Sequence, residues 1–334
     1  MHKKTKFFIS SLLLITVAVC ISLSSCSEEK EKVYRVGMLT DYSPFLIIAD
    51  SFKAEMVELG YIEGENIVYD LQIKDFDPEG QKAAVEQFIK DKVDLIFTFP
   101  TEASVIAHKL TQGTGIPVLF AMCGVEGNIS IESVRHPGGN ITGVRFPGPD
   151  NVVKHLELIL EIKPETKRIW ATYNPNYPNT VAILEALRKA VSSYAVELLE
   201  APNETIEDVM ADLQTLEASG KVNIDAILLL PEGLSQSPDV SKAIIEFANK
   251  YKIPVGGGVP FTLDMGAVFS FLPDDAEMGK LAAFSAHKIF NGIPAGTIPL
   301  VTPENYLWLN YKAIQELGLT ASEGLLGQAK EIIR

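Results

Sequence analysis

The feature that most constrains this chain is the alternation of two hydrophobic periods. Short runs rich in β-branched residues recur at Val33–Leu39, Ile67–Leu71, Asp94–Thr98, Pro117–Phe120, Ile141–Val144, Arg168–Thr172, Val196–Leu199, Asp225–Leu230, Ile253–Val255 and Ala267–Phe271. Several are apolar without a break, as a strand covered on both faces must be. Helical stripes lie between them. Val152, Val153, Leu156, Ile159 and Leu160 follow three-to-four spacing, with Asp150 placed as an N-cap. Val181, Leu184, Leu187 and Val191 make a second stripe, and Asp274 is placed to cap a third whose Met278, Leu281 and Phe284 face inward. Such alternation implies parallel sheets with helices on both faces, the α/β class.

The alternation also repeats in order. Arg35-Val36-Gly37 is echoed by Arg168-Ile169-Trp170, Val93-Asp94-Leu95-Ile96 by Ile224-Asp225-Ala226-Ile227, and Gly115-Ile116-Pro117-Val118 by Lys252-Ile253-Pro254-Val255. Phe99-Pro100 and Leu230-Pro231 close the middle pair. Three echoes in one order at nearly one offset predict two Rossmann-like lobes of the same topology. At 334 residues the chain exceeds one ordinary core, so two lobes also suit its length.

The N-terminus stands apart. Lys3, Lys4 and Lys6 precede an uncharged run from Phe7 to Leu23, which reads as an export signal. The run ends in Leu23-Ser24-Ser25-Cys26, a lipobox-like sequence whose thiol would accept diacylglycerol. The expectation is a signal peptide at 1–25, lipid on Cys26 and a polar tether over 26–32. A membrane-spanning helix is the alternative, but the run is at the short limit for one. Cys20 leaves with the signal and Cys26 carries lipid, so Cys123 remains without a disulfide partner. The net charge of −14 argues against nucleic acid as a partner, because that needs a basic footprint.

Ligands of open parallel sheets bind beyond the carboxyl ends of the strands. The loops there carry Thr40, Asp41 and Tyr42 after the first strand, Thr101 and Glu102 after the third, and Cys123 and Gly124 after the fourth. Thr101 precedes a helical stretch; it reads equally as a carboxylate-binding helix terminus or as a plain N-cap. Tyr173-Asn174-Pro175-Asn176-Tyr177-Pro178-Asn179-Thr180 offers Asn174, Tyr177 and Thr180 to a ligand with an apolar body and polar ends, or else is turn chemistry. Glu232 and the triple glycine around Gly257 follow two further strands. The triple glycine lacks dinucleotide-binding spacing, so no cofactor is expected. His2, His108, His136, His155 and His287 show no metal-ligand spacing, and neither a nucleophile elbow nor a phosphate loop is present, so no metal and no catalytic residue is expected. Asp274-Asp275 reads as a capping pair.

Four stretches carry a family resemblance: Glu58-Leu59-Gly60-Tyr61 with Gly64-Glu65-Asn66; Pro137-Gly138-Gly139-Asn140-Ile141-Thr142-Gly143; Tyr173-Asn174-Pro175; and Asn310-Tyr311-Lys312-Ala313 with Leu317-Gly318-Leu319-Thr320. In this order, from Val33 to Ile333, the chain resembles the lipoprotein substrate-binding components of ABC transporters, of the tryptophan/tyrosine type. The resemblance implies a type I periplasmic binding protein fold: two α/β lobes joined by a three-strand hinge and clamping a ligand. It places crossovers near Gly143–Phe146, Phe271–Pro273 and Ile298–Pro303. The first lobe would hold 33–144 and 273–298, and the second 145–272 and 299–334.

Thr101, Thr180 and Asp274 match the family's pattern, whereas other positions depart from it. Gly124-Val125-Glu126 stands where relatives carry Asp-Pro, Pro231-Glu232-Gly233 where they carry Thr-Asp-Asn, and Arg145-Phe146 where they carry an acid. The implied function is capture of a small organic ligand, an amino acid or related molecule, for a membrane ABC permease. The implied protein is an exported, membrane-anchored monomer, in the periplasm or at the cell surface. A ligand carboxylate would meet Thr101 and Thr180; an ammonium would meet Glu232, Asp274 or Asp41. Tyr42, Phe146 and Tyr177 would wall the body, and Arg145 would point to an anionic group. A sensory binding protein for a membrane receptor and an exported enzyme are the rival readings.

Overall fold

The computed structural model describes residues 32–75 and 77–334. The export signal, Cys26 and the tether up to residue 31 lie outside the described residues. The first sheet contains β1 (Tyr34–Thr40), β2 (Ile67–Ile73), β3 (Leu95–Phe99), β4 (Val118–Cys123) and β5 (Ile141–Arg145). All are parallel, in the spatial order β2-β1-β3-β4-β5. The second sheet contains β6 (Arg168–Tyr173), β7 (Glu197–Pro202), β8 (Ala226–Leu228), β9 (Val255–Gly256), β10 (Phe269–Pro273), β11 (Asn305–Asn310) and β12 (Ala329–Ile333). Its first five strands repeat the order as β7-β6-β8-β9-β10, and β11 and β12 extend it.

The sequence echoes have a physical basis in this repeated order. Asp94, just before β3, accepts from the Arg35 amide at 2.9 Å, and its own amide donates to the Arg35 carbonyl. Asp225, just before β8, accepts from the Arg168 amide at 2.9 Å and returns the same backbone bond. Ile96 donates to the Pro117 carbonyl and Ile227 to that of Pro254, at 3.0 and 2.9 Å. The echoed residues therefore set corresponding strand registers in the two lobes.

The inner strands of both sheets are covered on both faces, which explains their unbroken apolar runs. On one side of the first sheet, α1 (Leu46–Glu58) and α9 (Asp275–Phe290) pack Phe52, Met56 and Met278 against Phe97. On the other, α2 (Pro78–Lys90) and α3 (Thr101–Leu110) pack Val85, Phe88 and Ala103 against Ile96. In the second lobe, α4 (Gly148–Ile162) and α5 (Thr180–Ser193) cover the face that includes Ile169 and Ala171. The opposite face, with Trp170 and Ile227, is covered by α6 (Ile206–Ala218) and α7 (Pro238–Tyr251). Three short helices, α8 (Phe261–Met265), α10 (Tyr311–Glu316) and α11 (Glu323–Gln328), complete the second lobe.

The chain passes between the sheets after β5, after β10 and after Leu300. At the last passage Val301 bridges to Val144, and its carbonyl accepts from Arg145 at 2.9 Å before the chain enters β11. The α9 helix follows β10 of the second sheet yet packs on the first.

Several expectations need correction. The sheets are not wholly parallel, because β10 and β11 run antiparallel. Neither β11 nor β12 is evident from apolar runs. In β11, Leu307 and Leu309 are buried while Tyr306 and Trp308 are only half-buried, and β12 is a charged edge strand. Asp150 is not a cap: α4 starts at Gly148, and Asp150 sits in its first turn, bonded to Arg145 at 3.1 Å. Val181 is 63% exposed and Phe284 45% exposed, so each falls off its helix's buried face. Asp274 does cap α9, accepting from the amides of Ala276 and Glu277.

Candidate functional site

A cavity of about 730 Å³ opens between the lobes. Its walls come mainly from residues just beyond strand ends: Tyr42 after β1, Thr101 after β3, Phe146 after β5, Tyr177 after β6 and Glu232 after β8. This is the crevice that parallel sheets leave outside their carboxyl ends. Asp274 and Asp275, at the start of α9, line it as well, and Trp308 reaches it from within β11.

Of the residues expected from sequence, Tyr42, Thr101, Phe146, Tyr177, Glu232 and Asp274 line the cavity. Asp41 and Glu102 lie beyond the lining, in electrostatic contact with Tyr177. Asp41 is fully buried, and neither of its oxygens finds a partner on another residue. Burial, with Glu102 adding to it, pushes its carboxyl up to about 8. Glu102 is in electrostatic contact with the Tyr177 hydroxyl across the cleft, while its Oε2 is buried and unpartnered. Burial raises the Glu102 carboxyl, and the Tyr177 hydroxyl is held well above its ordinary value by burial and these acids.

Glu232 is also buried, but it accepts from the amides of Ser235 (2.6 Å), Leu234 (3.0 Å) and Asn174 (3.4 Å). Burial still raises its carboxyl against those bonds. Asp274 is held below the usual carboxylate range by Lys330, 2.8 Å away. Asp275 is raised to about 6 by burial and by Asp274.

The structure leaves the other expected residues outside the lining. The Thr40 hydroxyl shapes the turn by bonding the Tyr42 backbone at 3.3 Å. Cys123 is a buried core thiol, pushed by burial up to about 12. The Gly124 amide donates to the Thr101 hydroxyl at 3.0 Å. Arg145 is engaged within the protein, by Glu126 at 2.8 Å, Asp150 at 3.1 Å and the Thr302 hydroxyl at 2.8 Å, so it offers no free guanidinium to a ligand. Asn174 serves through its backbone, donating to Glu232 and accepting from the Thr180 hydroxyl at 2.8 Å. Gly257 is required by its φ of +89°, and a Cβ there would press on His155.

Thr101 is neither the cap nor a free hydroxyl. It occupies the first turn of α3, and its oxygen accepts from Gly124 and from Asn179 Nδ2, the latter at 3.1 Å. Asn179 is thus a lobe-to-lobe clasp, since its Oδ1 also accepts from Asn128 at 2.7 Å. It sits in the amide-rich loop noticed in the sequence, but nothing there separates it from Asn174. Gln236 was equally hidden; it lines the cavity and ties Leu230, Gly257 and Val259 together. In sequence Asp275 reads with Asp274 as a capping pair, and only the fold separates their roles. Among the described residues no cluster of His, Cys, Asp and Glu has a geometry that would hold a metal ion, and no helix is long and apolar enough to cross a membrane.

A family model of ABC transporter substrate binding proteins matches residues 43–333. A protein of Clostridioides difficile (strain R20291) named tyrosine-binding protein is 25% identical over 295 residues, covering 87% of this chain and 82% of its own. A conserved domain protein from Vibrio cholerae has a similar structure, with a TM-score of 0.79 and 25% identity over 90% of this chain and 100% of that one. A Streptococcus pneumonia ABC domain in complex with L-Trp also has a TM-score of 0.79, at 20% identity, over 90% of this chain and 100% of that one.

Proposed function

We propose, from the premise that the chain belongs to the family of ABC transporter substrate binding proteins, that it is a lipid-anchored receptor for a small organic ligand with an apolar body. The ligand is held between the lobes and handed to a membrane ABC permease. The single observation that carries this reading is the interlobe cavity of about 730 Å³, walled by aromatic side chains and edged by carboxylates. That volume suits a molecule of amino-acid to drug size. Relatives named for tyrosine or solved with L-Trp support a ligand with a ring. In this reading the site binds rather than catalyses, as the family's description as substrate binding proteins supports.

In this reading the first lobe holds 33–144 and 273–298, and the second 145–272 and 299–334. The lobes hinge about the three passages, and the Thr101–Asn179 and Glu102–Tyr177 contacts latch the closed form. Cys26 carries the lipid after removal of 1–25, which places the monomer at a membrane surface outside the cytoplasm. The test is calorimetry and thermal shift on the soluble chain from Ser27, against amino acids, amines, peptides, nucleosides and sugars. One-site binding that is lost in Trp308→Ala supports the reading, and silence across all five classes overturns it. Anchoring is checked separately: Cys26→Ala should move the full chain from the membrane to the soluble fraction.

A further inference from the structure

Resting on that reading of the cleft, we propose that the ligand is an organic cation: an amine with an aromatic or aliphatic body and no carboxylate. Among the described residues, the cavity lining holds three carboxylates, Glu232, Asp274 and Asp275, and no Lys, Arg or His. The nearby Lys330 is committed to Asp274 at 2.8 Å. Asp275 has no ion-pair partner among the described residues.

The end of the cleft where a ligand carboxylate would be expected is surrounded by acids and has no cation in the cavity lining. The positive end of a helix is a natural anion site. At α3, however, the Thr101 oxygen is occupied by Gly124 and Asn179, and the first turn carries Glu102 itself. Glu102 Oε2 and both Asp41 oxygens are buried there without partners, and Asp41 is fully enclosed. A second anion at this end would meet Glu102, Asp41, the Tyr177 hydroxyl and Glu232 in a medium that screens poorly. An ammonium would instead meet the lining carboxylates, Asp275 among them without an ion-pair partner, with the unpartnered oxygens of Asp41 and Glu102 behind the wall. The rings of Tyr42, Phe45, Phe146 and Phe261 line the same cavity, and aromatic walls favour a cation.

Asp41 is faced by Glu102 from α3 and by Tyr177 from the loop after β6, with Glu232 next to Glu102. None of these groups is cationic. Burial raises the carboxyls of Asp41 and Glu102, and an ammonium bound beside them would lower both and release protons.

The experiment compares matched pairs that differ only in the carboxylate: tyramine with tyrosine, tryptamine with tryptophan, phenethylamine with phenylalanine. Calorimetry on the soluble chain at pH 7, in two buffers of different ionisation enthalpy, should show at least one amine binding tenfold or more tighter than its amino acid and releasing protons. Asp41→Asn and Glu102→Gln should each weaken that amine tenfold or more and abolish or reduce the proton release, with melting curves confirming that they fold. An amino acid bound as tightly as its amine overturns the inference and leaves the binding-protein reading intact, as does a sugar or nucleoside bound in preference. Silence from every small molecule overturns both.

Discussion

Phe99-Pro100 closes the third strand of one lobe and Leu230-Pro231 lies just beyond the corresponding strand of the other, and each is followed within two residues by a glutamate. Glu232 faces its own loop. The chain from Glu232 to Ser237 precedes α7, and amides within it turn onto the carboxylate. In the first lobe α3 begins at once at Thr101, so Glu102 has no such loop to brace and reaches across to Tyr177. Two acids at nearly equivalent positions thus do opposite things. One is satisfied within its lobe and costs stability if removed; the other is left short of partners and costs stability while it stays.

The largest effect should come from breaking that contrast directly. Glu232→Ala leaves three amides facing a void and should cost about 2–4 kcal/mol in urea unfolding. Glu102→Ala should be neutral or stabilising in the unligated protein. If both substitutions destabilise alike, the two acids play the same part and the contrast fails. Nearly as large is Gly279→Ala. A Cβ there would run into the Ile48 carbonyl and Ser51 where α9 crosses α1, and overpacking of that kind costs about 1–3 kcal/mol. Hydrogen exchange should show the loosening around the first sheet and not around β6 to β9.

The pH dependence sharpens the comparison further. Asp41 in the first lobe has a carboxyl raised to about 8 from 3.8, so the native state binds the extra proton between those values and stability falls as pH rises through them. Asp275, raised to about 6, acts in the same direction below that pH. His155 in the second lobe is buried with Nε2 on the Phe271 carbonyl, and burial lowers it to about 4, so its contribution rises with pH from there to its unfolded value of 6.5. Between 6.5 and 8 neither Asp275 nor His155 changes charge. There Asp41, aided by Glu102, should make stability fall by up to about 1.4 kcal/mol per pH unit. Asp41→Asn should remove most of that fall, so its stability relative to the native chain should rise by up to about 1.4 kcal/mol per pH unit between 6.5 and 8. Denaturation midpoints at half-unit pH steps check it.

The smallest effect separates the echoed aspartates. Asp225 accepts from both Lys167 and Arg168, whereas Asp94 accepts one backbone bond, from Arg35, and pairs with exposed Lys32. Asp225→Ala should cost about 2 kcal/mol and Asp94→Ala about 1 kcal/mol, read from matched urea curves. Equal costs would show that the two lobes use the echo identically.

Much of the scaffold was legible in the chain, because strands buried on both faces must be apolar at every position and the echoes recur where strand starts are tied together. The inner strands could be placed this way, and the half-exposed edge strands β2 and β7 by their β-branched and leucine-rich runs. What escaped was β11, whose half-buried alternation is weak, and β12, whose edge position tolerates charge. The cleft loops were also legible, since parallel strands leave their ligands only one side to approach. The roles inside those loops were not. Thr101 and Thr180 look like free hydroxyls in sequence, yet one is consumed by Gly124 and Asn179 and the other by a carbonyl. Arg145 looks like an anion hook, yet three partners hold it.

The sequence by itself determined a two-lobed α/β fold with a cleft at the strand ends, because hydrophobic period and repetition are properties of the chain. Only the tertiary structure decided which cleft groups are spent and which are unsatisfied. Whether a carboxylate or hydroxyl finds a partner depends on atoms brought from the other lobe, and no local pattern records that.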